Sequence, residues 1–244
     1  MMLRGKRVLV TAAAGGGIGF ATAKRCAEEG AFVVIADIHE RRLGAAADKL
    51  AEIMGERPPT AICDVTNQEQ VDRMFEIAGD IDILVNNAGL GGTADLVDMS
   101  DEAWTRVLDV SLTGTMRCMR AALRHMIPKK SGVIVNNASV LGWRAQKGQS
   151  HYAAAKAGVM ALTRCAAMEA AEAGIRINAV APSLAMHPFL HKVTSPELLE
   201  ELTAKEAFGR AAEPVEIANV ILFLASDLSS YMTGEVLSVS SQRA

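Results

Sequence analysis

The chain has 244 residues, half of them hydrophobic and 22% charged, with a mean hydropathy of +0.18. That is too apolar for a disordered chain and enough to fill the core of one large domain or two small ones. With a formal charge of -3 and only 4% aromatic residues, it offers neither a basic field nor a stacking platform for nucleic acid. No stretch is long and apolar enough to span a bilayer.

Cys26, Cys63, Cys118 and Cys165 are widely spaced, with no CxxC and no histidine at metal-ligand spacing. This reads as a reduced, cytosolic protein without a metal site. Arg4, Lys6 and Arg7 precede an uncharged stretch from Val8 to Ala23, as in a signal peptide. Its AAAGGGIG body is too weakly apolar for that, and secretion is not expected.

In chain order, Val8–Val10, Phe32–Ala36, Ile81–Val85, Val133–Val135 and Ile175–Val180 are short Val/Ile-rich runs without polar alternation. They predict strands buried on both faces of a parallel sheet. Between them lie helix-compatible stretches at Ile18–Glu29, Asn67–Ala78, Asp101–Met126 and Tyr152–Ala173. The alternation predicts an α/β fold: one doubly wound parallel sheet with helices on both faces, a three-layer sandwich in a single domain. The rhythm breaks at 183–210, where Pro188, Pro196 and the polar patch SPELLEELTAKEAF suggest a lid over the ligand crevice.

VLVTAAAGGGIGFATAKRC reads as strand, glycine-rich turn and helix. Gly15, Gly16, Gly17 and Gly19 let the backbone approach a pyrophosphate, and the helix after Ile18 turns its N–H groups toward it. Asp37, 18 residues past Gly19 at the end of the second strand, is placed to accept adenosine ribose hydroxyls and to repel a 2′-phosphate. NAD is therefore favoured over NADP. Alone, Asp37 reads equally as a helix N-cap, and His39, Arg41 and Arg42 keep NADP open. Asp64 in ICDVT, and Asn86, Asn87, Ala88 and Gly89 after the fourth strand, fit turns along the cofactor or plain loop caps.

SHYAAAKAGVMALTR puts Tyr152 and Lys156 four apart on one helix face. A cation beside a phenol favours the phenolate and brings proton transfer toward neutral pH. Ser139, past the strand GVIVNNAS, faces the same crevice. The three make a hydride-transfer site: Tyr152 exchanges the alcohol proton, Ser139 holds the carbonyl oxygen, and Lys156 also reaches the nicotinamide ribose.

In this order the glycine turn, NNAG, the serine, YxxxK, the AP after the sixth strand and TGEVLSV resemble the short-chain dehydrogenase/reductase family across the whole chain. The resemblance implies a Rossmann fold and an NAD(P)(H)-dependent alcohol/ketone oxidoreductase, usually a homotetramer. It places Thr11, Gly15, Gly17, Ile18, Gly19, Asp37, Asp64, Val65, Asn87, Ala88, Gly89, Tyr152, Lys156 and Pro182 at the cofactor, and Ser139, Tyr152, Lys156 and Ser111 at the chemistry. The turn from Thr11 to Gly19 is one residue longer than the family's. Ser111 stands where the catalytic asparagine is usual and Ser183 where a glycine is. His187 stands where a threonine is, as a possible cofactor contact or a plain lid residue.

TAAAG, VLDVSLTG, NNASVLGWRAQ and EAFGRAAEP further resemble a steroid-degradation subgroup acting on a hydroxy-methyl-oxo-indane-carboxyl-CoA. That implies a fused-ring secondary alcohol, carried as a CoA thioester and oxidised to a ketone with NAD. Trp143, Arg144 and Lys147 would then flank rings and CoA phosphates, or be plain surface residues. Two other readings stand beside this one. A 3-oxoacyl-(ACP/CoA) reductase of fatty-acid type usually favours NADPH through a basic residue where Gly16 stands. A non-catalytic NAD-binding regulatory protein has no need of Ser139, Tyr152 and Lys156 together.

Overall fold

A computed structural model describes residues 1–186, 190 and 196–241. The strands are β1 (Arg7–Thr11), β2 (Phe32–Asp37), β3 (Thr60–Ile62), β4 (Ile83–Asn86), β5 (Gly132–Asn137), β6 (Ile175–Pro182) and β7 (Val236–Val239). They pair in the order β3-β2-β1-β4-β5-β6-β7, all parallel. The order reverses between β1 and β4, where an open α/β sheet leaves a crevice at its carboxyl edge.

The helices are α1 (Ile18–Glu28), α2 (Glu40–Met54), α3 (Gln68–Ala78), α4 (Asp101–Leu108), α5 (Gly114–Lys129), α6 (Ser150–Ala170), α7 (Pro196–Ala204) and α8 (Pro214–Ala225). Because neighbouring strand residues point to opposite faces, Val8, Val10, Val33 and Ile35 pack against Cys26, Leu43, Leu50 and Ile221 of α1, α2 and α8. Leu9, Val34, Leu84 and Ile134 pack on the other face against Met74, Phe75, Met119 and Ala167 of α3, α5 and α6. Both faces are dry, which is why the strands read as unbroken apolar runs. Among the described residues no helix is long and apolar enough to cross a membrane.

Three boundaries differ from expectation. Two edge strands, β3 and β7, escape the apolar-run signal because they are short and half-exposed. The stretch expected to be one helix over Asp101–Met126 is broken by a π turn at Asp109–Thr113, between α4 and α5. Pro182, expected after the sixth strand, is its last residue, paired with Val239 at the sheet's end, where a missing N–H costs little.

Of the 183–210 segment, both ends are tied to the body. Ala185 forms a parallel bridge with Ala212. The buried Glu206 carboxylate accepts from Leu184 N–H at 3.4 Å and from Ser241 Oγ at 2.8 Å. His187 and Pro188 lie outside the described residues.

Candidate active site

An open cleft of about 1690 Å³ runs along the carboxyl edge of the sheet from β2 to β5. At its β2 end, Asp37 is buried, and its two oxygens accept from Ala14 N–H at 3.1 Å and His39 N–H at 3.0 Å. Burial pushes its pKa up, while the Ala14 N–H and the Arg42 charge oppose the rise. Arg42 lines the same cleft.

Next along the edge comes the glycine turn. Gly17 N-caps α1 with no side-chain cap and no acidic residue in the first turn, so the leading N–H groups stay available to an anion. Gly17, Ile18 and Gly19 line the cleft, whereas Gly15 does not; it supplies the reversal, at φ +116°. Gly19 is needed for close approach: a Cβ there would stand 2.3 Å from Ala12 O and 2.5 Å from Asn87 Nδ2. Ala12 stands at φ +50°, a left-handed conformation that favours glycine. These features fit a dinucleotide: bare N–H groups for a pyrophosphate and a buried carboxylate for ribose hydroxyls.

Thr11 Oγ1 accepts from Asn87 N–H (3.0 Å) and Ala88 N–H (3.1 Å), which fixes the chain after β4 against the end of β1. Asn87 Nδ2 donates to Thr11 O at 3.3 Å and Ala12 O at 3.1 Å. Asp64 lines the cleft with Val65, and its Oδ1 accepts from Thr66 N–H at 2.9 Å and Thr66 Oγ1 at 2.7 Å.

At the β5 end, α6 presents Tyr152 and Lys156 to the cleft, with Lys156 Nζ 5.5 Å from the Tyr152 ring centre. Ser139 stands near enough to the Tyr152 hydroxyl to act on its titration. Ser139 does not itself line the cleft; it N-caps the short turn after β5, its Oγ accepting from Leu141 N–H at 3.2 Å. Burial dominates both titrating groups. It raises the Tyr152 pKa, with Ser139 opposing, and lowers Lys156 from 10.5 to about 8. Lys156 Nζ donates to Asn137 O at 2.6 Å.

The structure draws Tyr152, Lys156, Gly89 and Asn87 onto the lining at one end of the cleft, with Ser139 behind it. Ser111 and Pro182 do not line it. Ser111 sits in the π turn, its Oγ accepting from Leu90 N–H at 2.9 Å and donating to Leu90 O at 3.0 Å. Gly89 lies between it and Lys156: a Cβ on Gly89 would be 3.3 Å from Lys156 Nζ and 3.7 Å from Ser111 Oγ. The hydroxyl thus clamps the loop after β4. Lys147 is paired with Asp95 at 3.2 Å, and Trp143 is half-exposed.

Sequence reasoning missed Asn136 and Asn137. Asn136 is fully buried: it accepts from Asn86 Nδ2 and donates to Thr163 Oγ1, both at 2.9 Å. Asn137 lines the cleft and donates from Nδ2 to Asn87 Oδ1 at 2.9 Å, while its own Oδ1 is buried without a partner among the described residues. The available signal was two asparagines closing an otherwise apolar strand, GVIVNN.

The family profile described as Enoyl-(Acyl carrier protein) reductase matches residues 12–241. The chain is 62% identical over 246 aligned positions to (5R,7aS)-5-hydroxy-7a-methyl-1-oxo-2,3,5,6,7,7a-hexahydro-1H-indene-carboxyl-CoA reductase of Mycobacterium tuberculosis, covering 99% of this chain and 94% of that one. It is 41% identical to the 3-oxoacyl-[acyl-carrier-protein] reductase FabG of Thermotoga maritima, with 98% of each covered. A short-chain dehydrogenase from Mycobacterium smegmatis superposes with a TM-score of 0.87 at 60% identity, covering 100% of this chain and 95% of that one. The chain belongs to the short-chain dehydrogenase/reductase family. It is an oxidoreductase with a Rossmann fold that uses a nicotinamide cofactor on a small-molecule substrate.

Proposed function

We propose that this enzyme moves a hydride between NAD(H) and a secondary alcohol or ketone on a fused-ring acid carried as its CoA thioester. The observation that carries the substrate class is the 62% identity over nearly the whole chain to an indene-carboxyl-CoA reductase. That relative is named for the reduction, the reverse of the oxidation expected from the sequence; one site serves both directions, and the ratio of cofactor forms sets the flux.

In the proposed mechanism Asp37 takes the adenosine ribose hydroxyls, and its charge disfavours a 2′-phosphate. The turn at Gly15, Gly17, Ile18 and Gly19 faces the pyrophosphate. Asp64 and Val65 border the adenine side, Thr11, Asn87, Ala88 and Gly89 the middle, and Pro182 backs the nicotinamide end. The cofactor supplies or accepts the hydride. Tyr152 gives its hydroxyl proton to the substrate oxygen in reduction and takes it back in oxidation. Ser139, beside the Tyr152 hydroxyl, holds that oxygen. Lys156 adds positive charge beside the phenol and reaches the nicotinamide ribose. Ser111 acts through the loop it clamps. The segment over 183–210 serves as the substrate lid, anchored at Ala185 and Glu206.

Exposed apolar residues on α5 and α6, such as Ile127 and Met168, support a homotetramer, checked by light scattering. NADH oxidation and NAD reduction across fused-ring and straight-chain acyl-CoA pairs test the substrate. The 41% identity to a 3-oxoacyl reductase makes the fatty-acid-type 3-oxoacyl reductase the alternative; straight-chain preference with NADPH would establish it.

A further inference from the structure

Three polar residues from three strand ends form a directed chain beneath the cleft. Asn87 Nδ2 faces two carbonyl oxygens, Thr11 O and Ala12 O. Its amide cannot be turned over, because its oxygen would then meet both of them. Its Oδ1 therefore points at Asn137 and requires a donor there, which Asn137 Nδ2 supplies at 2.9 Å. The main chain of the same Asn137 holds Lys156 Nζ at 2.6 Å. One residue thus touches both the support of the glycine turn and the cation of α6.

The turn needs that support at one point. Ala12 stands at φ +50°, a left-handed conformation disfavoured for a residue with a Cβ. Its carbonyl is the atom that Asn87 holds, and the same carbonyl lies where a side chain on Gly19 would clash. The position of Ala12 O therefore decides how closely α1 sits on the turn.

We propose that Asn137 is a positioning residue: through Asn87 it holds the strained Ala12 peptide of the lengthened turn in its cofactor-binding shape, and it ties that turn to Lys156. The inference rests on the reading of the turn as the pyrophosphate cradle and is independent of the substrate.

A two-by-two set of variants tests it, comparing the parent, Asn137→Leu, Ala12→Gly and the double variant, with NADH affinity read by fluorescence titration. Asn137→Leu keeps the size of the side chain and removes the donor. In the parent background it is expected to weaken NADH binding about five- to tenfold, the scale of one buried hydrogen bond lost with its acceptor left unpaired. In the Ala12→Gly background the same change is expected to cost less than twofold, because glycine adopts a positive φ without being held. Turnover at saturating NADH is expected to fall less than affinity does. A merely structural role would lower melting temperature alike in both backgrounds without this coupling.

Equal losses of affinity in the two backgrounds, or a loss under twofold in the parent, would overturn the proposal. If leucine prevents folding, Asn137→Ala removes the same donor without crowding the turn and is judged by the same outcomes. Hydrogen–deuterium exchange over residues 11–19 reads the turn without cofactor. Exchange should be faster in the Asn137 variant than in the parent, and unchanged exchange would sink the idea. Failure of the parent itself to bind either NADH or NADPH would refute the cradle reading and leave this exchange arm standing.

Discussion

Replacing Lys156 by methionine separates the stability of the site from its chemistry. The side chain is 3% exposed, and burial lowers its pKa from 10.5 to about 8. Below pH 8 the folded chain therefore holds an ammonium at a cost of about 3 kcal/mol relative to the unfolded chain. Methionine, similar in length and uncharged, removes that cost but orphans Asn137 O, which now accepts at 2.6 Å; the lost bond costs about 1–2 kcal/mol. The balance favours the variant by about 1–2 kcal/mol at pH 7.

The sign changes with pH. The folded state binds fewer protons than the unfolded state between about 8 and 10.5, so the parent's stability rises through that window while the variant's does not. Between pH 7 and 9.5 the parent is expected to regain about 2 kcal/mol, enough to erase the variant's advantage. Urea denaturation of the cofactor-free proteins at both pH values measures this. A difference that stays constant with pH would refute the buried-ammonium account. The variant should be inactive at either pH.

Tyr152→Phe keeps the ring and removes the hydroxyl that stands beside Ser139. Turnover should fall by about 10² or more while NADH affinity holds, and near-normal turnover in a coupled assay would reject Tyr152 as the proton-transfer group. NADH is expected to bind more tightly than NADPH by about 1–3 kcal/mol, the scale of one close charge repulsion, and Asp37→Ala should narrow the gap. Since burial raises the Asp37 pKa, NADH affinity in the parent should also begin to fall, as pH drops, at a higher pH than an ordinary aspartate would give. Ser111→Ala breaks both bonds to Leu90, so it should lower stability by about 1–2 kcal/mol and turnover by about tenfold or less. A loss matching that of Tyr152→Phe would make Ser111 a direct participant in proton transfer.

The parts of the site legible in the sequence are those whose spacing is local. Tyr152 and Lys156 share a helix face because they are four apart, and Gly15 to Gly19 sit between an apolar run and a helix. The doubly wound sheet followed from unbroken Val/Ile runs, since strands dry on both faces carry no alternation. What stayed hidden is non-local or lacks a compositional mark. The Asn137–Asn87 bond joins residues 50 apart. The π turn at Asp109–Thr113 uses residues that would suit an ordinary helix. Ser111 stands where the catalytic asparagine is usual, yet its hydroxyl is engaged twice by Leu90, a partner that only the folded loop brings near.

The buried ladder Asn86–Asn136–Thr163 bears on how the chain finds this fold among its near-copies. β4 and β5 are so uniformly apolar that sliding one past the other by two residues would keep every side chain on its original face and lose little burial. Hydrophobicity alone therefore scarcely distinguishes the slipped pairing from the native one. In the native register Asn86 stands opposite Asn136, and Asn136 meets Thr163 on α6. A two-residue slip would strand these amides in a dry interior at about 1–3 kcal/mol for each unpaired group. The ladder works as a key: it selects one alignment of two strands and one rotation of α6, and so delivers Ser139, Tyr152 and Lys156 to the same corner each time the chain folds.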